Sequence, residues 1–492
     1  MDTKSARQFD GVYDVIIVGA GLSGINAAHH IQEKVPNLTY TILEGRDSLG
    51  GTWDLFRYPG IRSDTDLHSF GFGWFPWVEK RAIADGASIV RYLRDAAKKE
   101  GIDRHMQFKR RVISANWDSA DQSWSLVVEA SPGQTLEYQA RFLILGTGYY
   151  DYKEPRKPDI PGLDSFDGQV IHPQFWPEEL DYADKEIVIV GSGATAITLL
   201  PNLASKAKQV TMLQRSPTYI LSIDNSTGNS WFHRMLPELW SFKLGRWAFI
   251  WTTAMIFYLC RAFPNAARSR LQRWVGEQLP AHVPMDPHFT PLYRPWDQRL
   301  CFSPNGDFFK AIREDNANVV TDRISQVKGD AIVLSSGRQL KADIIVTATG
   351  LKLKVGSDIK ITVDGELIHL SDKVAWRASM LSDVPNLAIM IGYVNASWTL
   401  GADVTARLIC RLLSYLQKKG KTSAVPRFPS NVQPRPLWDL DATYVKQAEK
   451  SMPKCGDSGP WKGRTNYFYD LWRAKHASIT AGLEFSSSGA KL

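Results

Sequence analysis

Asp14-Val15-Ile16-Ile17-Val18-Gly19-Ala20-Gly21-Leu22-Ser23-Gly24 is the stretch on which the fold of this chain turns. Asp14–Val18 is a short, mostly apolar run rich in β-branched residues, which predicts a buried parallel strand. It passes straight into a Gly-x-Gly-x-x-Gly turn, and a helical pattern follows through Ile25, Ala28 and Ile31. Thr39–Leu43 predicts a second strand, ending at Glu44. Strand, turn, helix, strand and acid stand in the order of a dinucleotide-binding βαβ unit. Gly19 permits the tight turn, Gly21 lets the backbone approach a pyrophosphate, and Gly24 lets helix and strand pack closely. The helix N-terminus offers unpaired N–H groups to the anion. Glu44, twenty residues past Gly24, stands where an acid binds a ribose hydroxyl pair.

The same grammar recurs downstream. Glu186–Val190 predicts a strand, Gly191-Ser192-Gly193-Ala194-Thr195-Ala196 the turn, and a helix runs towards Leu203. Ala196 replaces the third glycine, as this fingerprint allows. The next strand, Val210–Gln214, ends at Arg215 rather than at an acid. An acid there would repel a 2′-phosphate, whereas a guanidinium binds one bidentately, so this unit is expected to take NADP rather than NAD. A plain surface arginine is the alternative. Two such units imply that one nucleotide stays bound while the other delivers hydride. Phe142–Gly146 and Asp343–Thr347 predict further strands, ending in the turns Gly146-Thr147-Gly148 and Ala348-Thr349-Gly350.

The bulk properties narrow the field. The chain has 492 residues, 44% hydrophobic and 22% charged, enough for two to four folded domains. Its net charge of +8 is spread out rather than run together, which argues against nucleic acid. Cys260, Cys301, Cys410 and Cys455 are far apart and form no C-x-x-C pair, so neither a dithiol centre nor a metal site is expected. The polar segment Met1–Gly11 lacks the apolar core of a secretory signal, and a cytosolic setting fits best. Trp247–Cys260 is almost wholly apolar or neutral. As a helix it would reach only about 21 Å, short of the roughly 30 Å of a bilayer core. A buried helix is the expectation, with peripheral membrane contact or a substrate-facing wall as alternatives. Residues 222–295 read as a Trp-, Arg- and Pro-rich helical insertion, and the region after Thr422 as irregular structure wrapping the surface, loose from Phe485.

Between the two units stands Phe166-Asp167-Gly168-Gln169-Val170-Ile171-His172-Pro173-Gln174-Phe175-Trp176-Pro177. Physically, such a linker could simply pack domains together. Its pattern F-x-G-x-x-x-H-x-x-x-W-P resembles the fingerprint of the Baeyer–Villiger type of class B flavoprotein monooxygenase at every fixed position: Phe166, Gly168, His172, Trp176 and Pro177. Gly50-Gly51-Thr52-Trp53 and Arg57–Asp64 are similar to that family's flavin-contacting stretch, and Trp296–Leu300 to the segment carrying its active-site arginine. The likeness runs from the first strand to about Leu412 and includes Asn395–Leu400.

The resemblance implies an α/β protein with two Rossmann-like dinucleotide-binding domains, for FAD and NADP, and a helical insertion. It would divide the chain into a first FAD part (1–150), a first NADP part (151–221), the insertion (222–295), a second NADP part (296–345), and a second FAD part with a C-terminal wrap (346–492). Ser23, Glu44, Thr52, Trp53, Asp64 and Val112 would contact FAD. Ser192–Ala196, Arg215 and Ser216 would hold NADPH. Arg299 would be the catalytic arginine, with Asp64 beside it. Many relatives carry a lysine before that arginine; here Gln298 stands there, so Arg215 must carry more of the 2′-phosphate contact. The reaction implied converts apolar ketones to esters or lactones with O2 through a peroxyflavin, and sulfides to sulfoxides. Alternatives are an S- or N-oxygenating flavin monooxygenase and a non-catalytic flavin redox sensor. A pyridine nucleotide–disulfide reductase shares the plan, but the missing C-x-x-C argues against it.

Overall fold

The computed structural model describes residues 8–226, 237–438 and 443–487. The strand Gly11–Val18 lies between Tyr40–Leu43 on one side and Gln134–Leu145 on the other, both parallel to it. Val15, Ile16 and Ile17 are fully buried, as a strand covered on both faces requires. Met106–Gln107 extends the sheet beyond Tyr40–Leu43, and Leu387–Ile389 pairs in parallel with the end of Gln134–Leu145. Gln134–Leu145 is twelve residues long, far longer than the segment expected from Phe142, because its first half belongs to another arrangement. There it pairs antiparallel with Ser123–Ser131, which in turn pairs with Arg111–Asp118. One strand thus joins a parallel nucleotide-binding layer to an antiparallel meander within an 11-stranded sheet.

The helix Leu22–Lys34 crosses between the first two strands and packs on Trp398–Lys419, a second long helix. A Cβ at Gly24 would lie 1.9 Å from the Gly19 carbonyl oxygen, which no side chain can tolerate. Gly19 itself has a φ of +103°, and its Cβ would meet the Gly146 carbonyl at 2.7 Å.

The second layer is a five-stranded parallel sheet in the order Ala317–Thr321, Gln209–Gln214, Glu186–Val190, Ile344–Thr347, Gln169–Ile171. The last of these lies inside the Phe166–Pro177 segment. That segment is therefore no plain linker: its middle is the edge strand of the second sheet. Trp176 is buried in the core under this sheet, and Phe166 packs on its other side. Gly168 has a steric reason, since a Cβ there would lie 2.3 Å from the Asp343 carbonyl oxygen. Gly168→Ala is expected to destabilise the protein by about 1–3 kcal/mol, the range for overpacking. An unchanged denaturation midpoint would remove this reading of the fingerprint glycine.

Between Ile220–Ile223 and Cys301–Pro304 the described insertion holds two helices, Glu238–Ala262 and Pro264–Gly276. The buried helix expected at Trp247–Cys260 is corrected on two points. It spans 25 residues rather than fourteen, and it buries one face only: Phe242 and Ile250 point inward while Trp240, Trp247 and Trp251 are exposed. Residues 227–236, including Trp231 at the start of the Trp- and Phe-rich stretch, lie outside the described residues. Among those described, no helix is long and apolar enough to cross a membrane.

The C-terminal region is also more regular than expected. The helix Tyr467–His476 packs on Trp398–Lys419, and Leu483–Ser486 pairs antiparallel with Ser423–Pro426. Phe485 is therefore held in a strand and against Tyr415 rather than loose.

Candidate active site

Both glycine turns lie at the C-terminal edges of their parallel sheets. In each, the helix starts at a glycine that provides no side-chain cap: Gly21 for Leu22–Lys34 and Gly193 for Ala194–Ala204. The first N–H groups of both helices are thus left for an external acceptor. Gly191 has a φ of +139°, and its Cβ would lie 2.3 Å from the Ala348 carbonyl.

A cavity of about 410 Å³ runs from the first turn to the second. Gly19, Gly21, Ser23, Glu44, Thr52, Trp53, Asp64 and Val112 line it from the first unit, Ala194 and Thr195 from the second, and Arg299 joins them. Gly24, Gly191 and Ala196 act behind this wall, in backbone packing and core. Each side chain has a local cause for its position. Glu44, at the end of its strand, accepts from Ala20 N–H at 2.7 Å and from Arg46 N–H at 2.9 Å, which aims its carboxylate along the glycine turn. The Trp398 indole N–H donates to Ser23 Oγ at 3.0 Å, bringing the Asn395–Leu400 segment to the helix start. Thr52 shares a hydrogen bond of 3.0 Å with the Tyr152 hydroxyl, whose pKa burial pushes up to about 12.

Arg299 Nη1 donates to Asp64 Oδ2 at 3.1 Å, with both side chains about one-third exposed. The turn before Arg299 is tight: Trp296 has a φ of +72°, and Asp297 N–H donates to the Arg294 carbonyl. Arg261, in the last turn of Glu238–Ala262, pairs with Asp297 at 2.7 Å and so ties the insertion to this turn. Arg299 also lines a second cavity of about 350 Å³ with Phe257, Tyr258, Arg261 and Asn395.

At the second turn, Ser192 Oγ donates to the Ser216 carbonyl at 2.9 Å, which sets the exposed Arg215 beside the glycines. Sequence reasoning missed Arg156. It donates to the Thr349 carbonyl, in the turn that Gly191 packs against, and its pKa is lowered by burial and then by the Arg215 cation. Two arginines therefore face this corner. Arg156 carries no local pattern that would mark it. Tyr58, within the Arg57–Asp64 stretch, is buried in the core of the second unit and bonds Thr195, linking the two units.

The fingerprint residues Phe166, Gly168, His172, Trp176 and Pro177 do not line the cavity. His172 Nδ1 accepts from Gln174 N–H at 3.2 Å, and burial lowers its pKa. Among the described residues, His29, His30 and Glu33 bring metal-ligating atoms within 4.8 Å of one another, away from the cavity. His30 is held by Asp403 at 2.7 Å and His29 stacks on Trp74, so both serve the packing of Leu22–Lys34.

One cavity reached by the first glycine turn and by the start of the second unit's helix, with a paired arginine and aspartate between them, defines a two-nucleotide oxidoreductase, although Ser192, Gly193, Arg215 and Ser216 do not line it. Residues 16–229, which hold both turns, match the family model described as pyridine nucleotide-disulphide oxidoreductase. The chain is 45% identical over 481 residues to the FAD-containing monooxygenase EthA of Mycobacterium tuberculosis, covering 97% of this chain and 98% of that one. It is 43% identical over 474 residues to the probable FAD-binding monooxygenase AlmA of Acinetobacter baylyi, covering 96% and 95%. The chain belongs to this family of FAD-containing monooxygenases. In fold it is similar to an oxidized steroid monooxygenase bound to NADP, with a TM-score of 0.73 at 21% identity over 97% of this chain and 100% of that one. A cyclohexanone monooxygenase of Rhodococcus sp. Phi1 bound to NADP+ is similar too, with a TM-score of 0.72 at 20% identity over 97% and 100%.

Proposed function

We propose that this protein is a Baeyer–Villiger monooxygenase that uses FAD, NADPH and O2 to convert apolar ketones to esters or lactones. The observation that carries the reading is the Arg299–Asp64 pair, set in a cavity lined by the first glycine turn and by Ala194 and Thr195 at the start of the second unit's helix.

The residues present fit both nucleotides. The cradle at Gly19 and Gly24 has no room for larger side chains at its base, and the uncapped helix start lies above it. FAD would be held there by the N–H groups at the start of Leu22–Lys34 and by Glu44, with Ser23, Thr52, Trp53, Asp64 and Val112 lining its site. NADPH would be held by Gly191–Ala196 and Ser216, with Arg215 and Arg156 supplying a cationic corner for its 2′-phosphate. Bound together, the two groups supply hydride transfer and the activation of dioxygen.

The chain's own residues direct that chemistry. Attack on a carbonyl builds negative charge on oxygen, and a cation fixed in advance stabilises it without reorganisation. Arg299 is suited because a guanidinium keeps its charge. Asp64 orients it through the 3.1 Å bond and limits the positive charge. In the second cavity Phe257, Trp296, Leu437 and Trp438 offer an apolar part of the wall near Arg299, beside the charged Arg261, Asp297 and Arg464, and that part favours an apolar substrate. His172 serves position rather than proton transfer, since its ring caps a turn outside the cavity. The two sheets support the domain division 1–150, 151–221, 222–295, 296–345 and 346–492, except that the limits at 221 and 345 fall inside the strands Ile220–Ile223 and Ile344–Thr347.

A panel of linear, cyclic and aromatic ketones tests the reading. NADPH consumption should rise with ketone, and ester should accumulate in step. Consumption indifferent to every ketone, with no ester, would overturn it, and sulfoxide from a matched thioether panel with no ester from any ketone would favour S-oxygenation.

A further inference from the structure

The helix Glu238–Ala262 has two unlike faces. On the inner one, the buried Arg246 donates to the carbonyls of His68, Ser69 and Gly71 and fastens the helix to the body of the protein. On the outer one, Trp240, Leu244, Trp247, Trp251 and Met255 are all exposed. Their spacing places them on a single stripe along the helix. Trp240 and Trp251 are each 63% exposed, an unusual state for the largest apolar side chain. The helix Tyr467–His476 widens the stripe: the Phe468 ring lies 4.7 Å from that of Trp251, and Trp472 is 56% exposed. A contiguous apolar surface of this kind marks a contact.

Charge identifies what the contact is with. From Leu239 to Gly276 the chain has six basic residues, one of them the buried Arg246, and no acidic residue. The basic groups sit beside the aromatic rings: Lys243 over Trp240 at 5.9 Å, Arg270 over Trp274 at 4.8 Å, and Arg473 over Tyr469 at 5.5 Å. A second copy meeting this face across a two-fold axis would bring like charges together. An anionic lipid surface satisfies both halves of the pattern, taking the rings into the headgroup–acyl boundary and the cations onto its phosphates. At 25 residues the helix is about 37 Å long, and it suits lying in the plane, since no described helix can cross.

We infer that this protein docks on an anionic phospholipid membrane through the outer face of Glu238–Ala262. The inner face of the same helix leads to the chemistry. Ile250, Thr253, Ala254 and Phe257 line a narrow cavity, and Phe257 and Tyr258 also line the one that holds Arg299. Resting on the function proposed above, this makes the substrate an apolar ketone dissolved in the bilayer, delivered along the helix. The docking itself does not depend on that function.

The test floats the FAD-loaded protein with vesicles of equal parts phosphatidylcholine and phosphatidylglycerol, and with phosphatidylcholine alone. Binding is expected with the mixed vesicles and should weaken with salt. Trp240→Gln with Trp251→Gln, and separately Lys243→Glu with Arg270→Glu, should each lower binding about tenfold or more. Thermal unfolding and the turnover of a short, water-soluble ketone should stay at wild-type values in both. Wild-type protein that remains unbound, or binding indifferent to both pairs of substitutions, would overturn the inference. So would a stable dimer that the tryptophan variant dissociates, because it would assign the stripe to a second copy. Vesicle binding without ester formation would sink the proposed reaction and the substrate route, and leave the docking standing.

Discussion

Arg299→Ala is expected to leave FAD bound and its reduction by NADPH intact while ester formation falls below detection. The side chain lies 3.1 Å from Asp64 and outside the hydrogen bonds that order the glycine turn, so its loss should not disturb nucleotide binding at Gly19–Gly24. What it removes is the fixed positive charge beside the substrate cavity. Removal of a single preorganised donor to a developing oxyanion lowers turnover by about 10²–10³-fold, and a full charge should exceed that. The reducing power then escapes as hydrogen peroxide. The readout is the ratio of ester formed to NADPH consumed, taken with anaerobic flavin reduction as the control. Ester production at a near-normal rate by the variant would remove Arg299 from the catalytic role.

The second large effect concerns coenzyme choice. Arg215→Ala together with Arg156→Ala should raise the KM for NADPH about 100-fold and leave that for NADH within a few-fold. A hydrogen bond to a charged group contributes about 1.5–3 kcal/mol, and each 1.4 kcal/mol is tenfold in affinity. Only NADPH carries the 2′-phosphate that these cations are proposed to meet. Burial, and then the nearby Arg215 cation, lower the Arg156 pKa, and two guanidiniums so placed make that corner a good anion site. The single variants should each lose part of the preference. Equal losses with both coenzymes would refute the assignment, because the arginines would then serve the fold rather than the phosphate.

The parts of this molecule that were legible in its sequence are those whose cause is local. Gly19 and Gly191 need positive φ, and Gly24 needs the absence of a Cβ, so their spacing betrays both turns. Glu44 and Arg215 stand at the ends of strands whose β-branched runs are equally plain. Arg156 and Tyr152 were illegible because each acts through a partner far along the chain, Thr349 and Thr52, and the same distance hid the bond of Tyr58 to Thr195. The exposed helix was misjudged for another reason. Between Trp247 and Cys260 both faces are apolar, so periodicity gave no outward side, and burial was the default reading. Only the structure shows that Phe242 and Ile250 face inward while Trp240 and Trp251 face out.

The strand shared by the two halves of the first sheet has a consequence for synthesis. A chain emerging from the ribosome completes Gly11–Val18, Tyr40–Leu43 and Gln134–Leu145 early. The edge of Gln134–Leu145 that later receives Leu387–Ile389 must then wait while the whole second sheet and its insertion are made. Closing so long a loop is slow, and an unpaired edge is open to the wrong partner meanwhile. The nascent protein is thus most vulnerable to aggregation in the interval between its two sheets, and chaperone dependence should concentrate there.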